Sequence, residues 1–301
     1  MAEPTGATHL DDLAAYLAAR YPIFGDVVDR GFAAFGTPWA NEFEATLATM
    51  FAKPEALSLA ASGYASFALD LMRRQVRFER ERTYPAKTYE EAAREVYHDE
   101  AYMTSEYLPG LLLSHYLWPH HYRQARFFDS AFVAEMRVAQ ASHFIEVGCG
   151  TGFYSRRLLQ QLPDIRGVGY EISPASKAFT EGQVAAFGFA DRYEVLLQDI
   201  ADRDMASTQW LVCVEVLEHL EDPVAFLRLL RASLAPGGKA FITAALNAPH
   251  VDHIYLYVQS AEVEAQLEAA GFTLEQTFVG VAHPPRAPGL PVPLVAAYIV
   301  A

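Results

Sequence analysis

The sequence is poor in cysteine, since Cys149 and Cys213 are the only two among its 301 residues. Two thiols cannot form the set of disulfides that stabilises small secreted domains. The first residues also carry acids, where a secretory signal would carry basic residues followed by an apolar core. Both features are typical of a protein in a reducing compartment, so we expect a cytoplasmic location.

Long hydrophobic runs and basic residues are scarce as well. No stretch approaches the ~18 consecutive apolar residues of a membrane-spanning helix, so we expect no membrane partner. Lys and Arg number 23 against 37 for Asp and Glu, which gives a net charge of −14. Because this average field repels a polyanion, we expect a small molecule rather than nucleic acid as partner. A monomer and a homodimer both fit the sequence.

Hydrophobic residues are abundant, at 52% of the chain, which excludes wholesale disorder. Their spacing divides the chain into two parts. In the first part, 1–140, residues 9 to about 140 show helical periodicity, in which Asn41 is predicted to cap one helix and Pro54 to begin a short one. Thr88 and Glu91 have the spacing of a capping box at the start of another helix. We expect this part to be a helical cap or substrate domain.

Residues 141–301 alternate predicted strands with helices. This pattern implies right-handed βαβ units and a parallel sheet with helices on both faces. A proline-rich loop without a helix joins the last two strands, so they must pair antiparallel. We therefore predict an α/β fold, a doubly wound and mostly parallel seven-stranded sheet with a C-terminal antiparallel hairpin, preceded by the helical domain. The predicted strands are 143–147, 168–172, 193–197, 210–214, 239–245, 272–279 and 292–300.

A glycine-rich loop follows the first predicted strand and leads into a helix. Glu146 is followed by Gly148, Gly150 and Gly152 at alternate positions. A dinucleotide-binding loop is spaced G-x-G-x-x-G, and its third glycine would fall where this chain has Phe153. The carboxylate of Glu146 is also an awkward neighbour for a pyrophosphate. The loop therefore favours a cationic ligand over a dinucleotide.

This E-x-G-x-G-x-G loop resembles that of the class I S-adenosylmethionine-dependent methyltransferases. Four later features share the resemblance: an acid that ends the second strand, Glu171; an aspartate after the third, Asp199; the turn L-A-P-G-G-K before the fifth; and the terminal hairpin. The resemblance spans about residues 142–301 and implies S-adenosylmethionine as cofactor, with its ribose at Glu171 and its adenine at Asp199. The residues implied for its binding are Glu146, Gly148, Cys149, Gly150, Gly152, Glu171, Ile172, Asp199, Ile200 and Glu215. Taken alone, Glu171 also fits a polar strand end and Asp199 an ordinary loop acid.

Two acids and a histidine follow the fourth predicted strand, at the edge where open α/β sheets bind ligands. They are Glu215, Glu218 and His219. Oxygen ligands favour magnesium or calcium, and an added imidazole favours manganese, iron or zinc. The E-x-x-E-H spacing resembles that of the ubiquinone-biosynthesis O-methyltransferases, which implies a divalent cation held by these three residues. Many metal-free methyltransferases carry a similar E-H-L, with the histidine as general base, so both interpretations stay open.

The sequence D-H-I-Y at 252–255 is similar to a motif of the small-RNA 2′-O-methyltransferases, although its spacing and surroundings differ. The similarity implies a catalytic or ligand role for His253. The stretch 107–122 is dense in aromatics and histidines and suits a pocket for a planar or apolar molecule, while a buried aromatic core fits it equally. Its candidate contacts to donor or acceptor are Tyr116, His120 and His121.

The leading hypothesis is a small-molecule O-methyltransferase for a hydroxylated aromatic or polyketide-like metabolite, with or without a divalent cation such as Mg²⁺. Methyl transfer from a sulfonium is an in-line displacement, and an oxygen acceptor must lose its proton to His219 or to a base assisted by the cation. Three alternatives stay open: C- or N-methylation of a small metabolite with Glu218 or His219 as base, RNA 2′-O-methylation, and donor binding without turnover. The net charge of −14 disfavours RNA.

Overall fold

The computed structural model describes residues 8–202 and 205–301. Residues 1–7, on which part of the expectation about a secretory signal depends, lie outside the described residues, as do residues 203 and 204. Helices fill the first part of the described chain, and a sheet with flanking helices fills the second.

Three long helices come first: α1 (His9–Arg20), α2 (Val27–Met50) and α3 (Pro54–Glu81). α2 is interrupted at Gly36, whose φ of 69° lies in the left-handed region. Pro38 follows and suits the first turn of the restarted helix, because it has no N–H to donate. The prediction that Asn41 caps a helix is wrong, because the interruption falls earlier and Asn41 lies inside α2.

α3 begins at Pro54 as predicted but continues well beyond Ala60. Apolar residues keep the helical spacing through Tyr64 and Ala68, and Phe78 is still buried near its end. A continuous buried stripe stabilises a long helix, so burial extends α3 where the local sequence predicted a short one.

Five shorter helices complete this part: α4 (Tyr89–Glu95), α5 (Glu100–Tyr102), α6 (Leu108–Leu117), α7 (Pro119–Phe127) and α8 (Ala134–Val138). The predicted capping box of Thr88 and Glu91 is present at the start of α4. π-Helical turns, Met103–Tyr107 and Phe128–Val133, join α5 to α6 and α7 to α8. Among the described residues, no helix has both the length and the hydrophobicity that crossing a membrane requires.

Seven strands follow: β1 (His143–Val147), β2 (Arg166–Glu171), β3 (Tyr193–Leu197), β4 (Thr208–Cys213), β5 (Leu234–Leu246), β6 (Leu274–Val281) and β7 (Leu294–Val300). They form one sheet in the order β3-β2-β1-β4-β5-β7-β6. β1 to β5 pair parallel, and β7 lies antiparallel between β5 and β6. The predicted fold, a mostly parallel seven-stranded sheet with a C-terminal antiparallel hairpin after a helical part, is confirmed.

Four helices flank the sheet: α9 (Phe153–Gln161), α10 (Pro174–Ala186), α11 (Pro223–Ser233) and α12 (Ser260–Ala269). β1 and β3 have the predicted bounds. β5 begins earlier than predicted, at Leu234, because its first residue pairs with Thr208 of β4.

The helical part and the sheet share a hydrophobic core. The ring centroids of Phe132, before α8, and Trp210 of β4 are 5.4 Å apart, and those of Phe128 and Phe241 of β5 are 4.8 Å apart. The opposite face of the sheet is covered by α11 and α12. We keep 1–140 and 141–301 as a proposed division into a helical cap and a sheet domain. The carboxyl ends of the parallel strands share one edge of the sheet, so the loops that follow them come together there.

Candidate functional site

A cavity of about 1040 Å³ lies between the carboxyl edge of the sheet and the helical part. Its walls include the loops after β1, β2, β3 and β4, together with side chains of α2, α3 and α6 and of the β6–β7 loop. Pockets for one drug-sized ligand measure ~300–1000 Å³. The cavity therefore has room for two small molecules side by side.

The glycine loop between β1 and α9 has backbone conformations that glycine adopts far more readily than other residues. Gly148 and Gly152 have φ values of 75° and 74°. A Cβ at Gly148 would lie 2.6 Å from Val216 Cγ2, and one at Gly152 would lie 2.9 Å from Thr180 Cγ2. Glycine is therefore required here both for its φ and for close packing against the segment after β4 and against α10.

Two buried side chains accompany this loop. The Glu146 carboxyl accepts a hydrogen bond from the Tyr193 hydroxyl at 3.0 Å, and burial raises the pKa of Glu146 to about 8. The Cys149 Sγ lies 3.4 Å from the same hydroxyl, and burial raises the pKa of this thiol as well. Cys149 is thus a packed thiol without activation as a nucleophile. Glu146, by contrast, would ionise most readily beside a cation.

Glu171, at the end of β2, connects the strand to the glycine loop. Its Oε1 accepts hydrogen bonds from the backbone N–H groups of Ile172 and Ser173 at 2.9 and 3.0 Å. Its Oε2 accepts one from the Gly150 N–H at 3.1 Å. Burial raises the pKa of Glu171, and these three donors oppose the rise. The Glu171 carboxylate therefore links the loop after β2 to the glycine loop, and both loops line the cavity.

Asp199 follows β3 and lines the cavity, half-buried. Ile172 and Ile200 line it too, and Ile172 is 41% exposed. Tyr89 of α4 covers this region from the helical part. Burial first, and then the charges of Asp199 and Glu171, raise the pKa of Tyr89 to about 12.

The two acids after β4 have different surroundings. Glu215 has φ 52°, and the Thr243 hydroxyl donates to its Oε1 at 2.6 Å and accepts from its N–H at 2.9 Å. Glu218 is fully buried, and neither carboxylate oxygen has a hydrogen-bond partner among the described residues. Burial, and then the charge of Glu215, raise the pKa of Glu218 well above its usual value. A buried carboxylate without a partner is costly, which fits a proton or a cation at this position.

Two histidines lie beside Glu218. Ligand atoms of Glu218, His219 and His253 all lie within 4.8 Å of one another. The Nδ1 of His253 is 2.6 Å from the Ala248 carbonyl oxygen, which only accepts, so Nδ1 carries the proton. Burial lowers the pKa of His253 well below its usual value, so the ring is neutral and Nε2 keeps its lone pair. We call these three residues the Glu218 cluster.

The Glu218 cluster differs from the ligand set that the E-x-x-E-H spacing predicts. Glu218 and His219 come together as expected, but the third candidate ligand is His253. The Glu215 carboxylate instead accepts a hydrogen bond from the Thr243 hydroxyl of β5. His253 reaches the cluster because the Glu218 carbonyl oxygen accepts hydrogen bonds from the N–H groups of residues 254 and 255, at 2.9 and 3.0 Å. These bonds hold the segment after β5 against the loop after β4.

Asp252 is a candidate functional residue to which the sequence assigned no role. It is fully buried, and its Oδ2 accepts hydrogen bonds from the Tyr97 and Tyr107 hydroxyls at 3.1 and 3.0 Å. Its Oδ1 is hydrogen-bonded to the Nδ1 of His250, and its Oδ2 lies 3.4 Å from the Nδ1 of His219. Burial opposes ionisation of Asp252, but the two histidines hold its pKa well below the usual value. The D-H-I-Y pattern is the one sequence signal near it.

Aromatic side chains of the helical part line the other end of the cavity. Phe67 and Trp118 stack with centroids 5.8 Å apart, and Trp118 and His120 stack at 5.7 Å. We call these three residues the aromatic wall. The Phe67 ring also lies 5.2 Å from the ring of His250, which is hydrogen-bonded to Asp252. The aromatic wall therefore adjoins the acids and histidines of the sheet side.

Of the predicted contacts in this stretch, His120 and His121 line the cavity. Tyr116 lies in the core instead, where its hydroxyl accepts a hydrogen bond from Arg156 at 2.8 Å. The stretch 107–122 thus serves both purposes that the sequence left open, pocket and core.

Comparison with known proteins identifies the sheet region. A family model described as a methyltransferase domain matches residues 145–240, which include the glycine loop and the segment after β4. An uncharacterised protein of Synechococcus sp. is 30% identical over 159 residues, and a ubiquinone biosynthesis O-methyltransferase of Idiomarina loihiensis is 29% identical over 100 residues. The matches cover 51% and 33% of this chain but only 34% and 40% of those relatives.

Solved structures of similar fold extend over more of the chain. The mitomycin 7-O-methyltransferase MmcR aligns with 84% of this chain and 75% of its own, at a TM-score of 0.55 and 17% identity. PigF, solved with S-adenosylhomocysteine (SAH), aligns with 80% of this chain and 73% of its own, at a TM-score of 0.52 and 14% identity. At these identities the likeness concerns the fold, and it includes much of the helical part.

Proposed function

Since the chain belongs to the class I S-adenosylmethionine-dependent methyltransferases, we propose that it methylates an oxygen atom of a small hydroxylated metabolite, aromatic or polyketide-like. One observation carries this proposal: a single cavity is lined by the glycine loop, by residues of the Glu218 cluster and by the aromatic wall. The ubiquinone biosynthesis O-methyltransferases among the relatives support an oxygen acceptor.

The donor occupies the sheet side in this proposal. Its sulfonium charge is balanced by nearby carboxylates, Glu146 among them, and its ribose hydroxyls bond Glu171. The adenine packs between Ile172 and Ile200, with its amino group at Asp199. The remaining proposed donor contacts are Gly148, Cys149, Gly150, Gly152 and Glu215.

His219 is the proposed general base. An unperturbed phenol has a pKa of about 10, as tyrosine does, and is mostly neutral at pH 7, so the acceptor must lose a proton. The Nδ1 of His219 lies 3.2 Å from the Asp252 carbonyl oxygen, which only accepts. Nδ1 therefore carries the proton, and Nε2 is the nitrogen that can accept one from the substrate. Glu218 and His253 lie beside it as further candidates for catalysis.

The Glu218 cluster also fits a divalent cation. The fit rests on the unpartnered carboxylate of Glu218 and on the free Nε2 of the neutral His253. Two imidazoles in the set favour manganese, iron or zinc over magnesium. A bound cation would lower the pKa of the acceptor hydroxyl and orient it. His219 would then serve as a ligand rather than as the base.

The test is product analysis after incubation with S-adenosylmethionine and a panel of phenols and catechols. We expect an aryl methoxy signal by NMR. A C-methyl or N-methyl product, or methylation of a short RNA in place of the phenols, would overturn the oxygen acceptor or its small size. Donor binding without any turnover would overturn the assignment as an enzyme.

The cation has its own test, which is activity after exhaustive chelation with EDTA. We expect activity to fall and to return with Mn²⁺ or Zn²⁺. Glu218→Gln should weaken metal binding by more than the ~10–100-fold that loss of an outer-shell partner costs, because it removes a charged direct ligand. The control Glu194→Gln, an exposed acid on β3, should leave it unchanged. Full activity in excess EDTA would remove the cation from the proposal.

A further inference from the structure

The charged side chains that line the cavity are divided by sign between its two ends. All lining carboxylates fall between Glu146 and Asp222, on the sheet side. The two lining guanidiniums are Arg30, on α2, and Arg286, in the loop between β6 and β7. Within residues 8–202 and 205–301, neither the helical part nor that loop contributes a carboxylate to the lining. The acceptor end is therefore lined by apolar and aromatic side chains and by two guanidiniums, whose paired carboxylates, Asp26 and Glu79, lie outside the lining.

Both guanidiniums keep hydrogen-bonding capacity. Arg30 pairs with Asp26 at 3.3 Å, but the two side chains are 62% and 66% exposed, so water screens the pair. The Nε of Arg286 lies 3.5 Å from the buried Glu79 carboxylate of α3, which orients the side chain. Neither guanidinium donates a hydrogen bond to any residue that the structure describes, although each carries five N–H groups.

The two guanidiniums and the aromatic wall line the same cavity. Trp118 Nε1 donates to the Tyr64 hydroxyl at 3.1 Å. Burial raises the pKa of Tyr64, and this hydrogen bond and the charge of Arg30 oppose the rise, which indicates that Arg30 lies near. Burial and then His121 and His283 hold the pKa of His120 well below its usual value, which indicates that His283 lies near the aromatic wall. His283 belongs to the same loop as Arg286.

We propose that the acceptor carries an anionic group, a carboxylate or a phosphate, that binds Arg30 and Arg286 while its ring packs on the aromatic wall. This inference rests on the proposed function and deepens it by naming the substrate class. A protein with a net charge of −14 repels anions at long range, so an anionic acceptor needs local guanidiniums. A guanidinium binds carboxylate and phosphate through paired N–H groups, whereas with a neutral aromatic ring it makes only a cation–π contact, without charge pairing.

The test is binding to the SAH-saturated protein of four probes that share one ring system: 2-naphthoate, 2-naphthyl phosphate, 2-naphthamide and 2-naphthylmethylammonium. We expect at least one anion to bind about 10-fold or more tighter than the neutral amide, with the cation weakest. Added salt should reduce the difference, because charged contacts at a cavity mouth are screened. The tighter of the two anions identifies the group.

The double variant R30Q/R286Q should lose the anion preference and keep its affinity for 2-naphthamide. R137Q/R228Q, which removes two exposed arginines away from the cavity, is the matched control and should keep the preference. Equal binding of amide and anions, tighter binding of the cation, or an anion preference that survives in R30Q/R286Q would overturn the inference. Failure of SAH to bind would instead count against the proposed function, since naphthoate binding is measurable without it.

Discussion

The Glu146 carboxyl lies buried beside the glycine loop, where burial raises its pKa to about 8. At pH 7 it is mostly protonated in the ligand-free protein. A positive sulfonium nearby would lower this pKa, because an opposite charge favours the ionised form. The donor and its demethylated product differ by this one charge, so the protons released on binding report where the sulfonium lies.

S-Adenosylmethionine should therefore release more protons at pH 7 than SAH, by up to about one per site. The difference should vanish near pH 9, where Glu146 is already ionised. Titration calorimetry in two buffers of different ionisation enthalpy measures the count. Glu146→Gln should reduce the difference, and any remainder reports the other buried acids, such as Glu215, whose pKa burial raises to about 7. Equal release by the two ligands, or a difference that is unchanged in this variant, would show that the sulfonium does not lie beside Glu146.

At the scale of single residues, the sequence predicted what local spacing determines. Glu146 and the three glycines lie within seven consecutive positions, and Glu218 is adjacent to His219, so the local chain brings the residues of each set together. The hydroxyls of Tyr97 and Tyr107 bond an aspartate 155 and 145 residues away. Such contacts depend on how the helical part closes over the sheet, and no local pattern encodes them.

The glycine loop is the element on which the donor site depends, and Gly152 gives the sharpest test. A Cβ there would meet Thr180 at 2.9 Å, in a residue whose φ is 74°. Gly152→Ala should cost about 1–3 kcal/mol in the free energy of unfolding, measured with urea. It should also weaken SAH binding, measured by calorimetry, because the loop must shift.

Gly182 is the matched control for this variant. It lies inside α10, where a Cβ would meet nothing within 4 Å. Gly182→Ala should leave SAH binding unchanged and stabilise the protein by about 0.5–1 kcal/mol, since alanine favours a helix over glycine. If both variants bind SAH as the wild type does, the loop does not hold the donor.

The bounds of a strand or helix could be predicted where its own residues determine them. β1 and β3 have the predicted bounds because their apolar runs end at loop residues. The interruption of α2 has a local signal, Gly36 followed by Pro38, which the prediction overlooked. The length of α3 depends instead on packing between helices, which the local pattern does not contain. The antiparallel hairpin followed from the missing helix, but the position of β7 between β5 and β6 is a property of the whole sheet.

At the scale of the whole molecule, a buried ionic network joins the helical part to the donor loop. Arg156 and Arg157 lie in the first turns of α9, which begins directly after the glycine loop. Both approach the Glu42 carboxylate of α2, and Arg157 also bonds Asp129. The Tyr116 and Tyr122 hydroxyls donate to Glu42 at 3.1 Å each. Burial of these arginines requires the carboxylates, so the network fixes α9 against α2.

Glu42→Gln should therefore destabilise the protein by about 3 kcal/mol in urea unfolding, because it leaves buried guanidinium charge uncompensated. SAH affinity should fall as well, although Glu42 does not line the cavity, since the start of α9 loses its anchor. Glu44→Gln is the control. Glu44 lies two residues away on the same helix, and its carboxylate is hydrogen-bonded to the His9 ring and to the N–H groups of His9 and Leu10 at the start of α1. Because it pairs with no buried guanidinium, its loss should cost only about 1 kcal/mol, as the loss of a helix cap does, and leave SAH binding intact. If Glu42→Gln lost stability but bound SAH normally, the network would hold the two parts together without setting the donor loop.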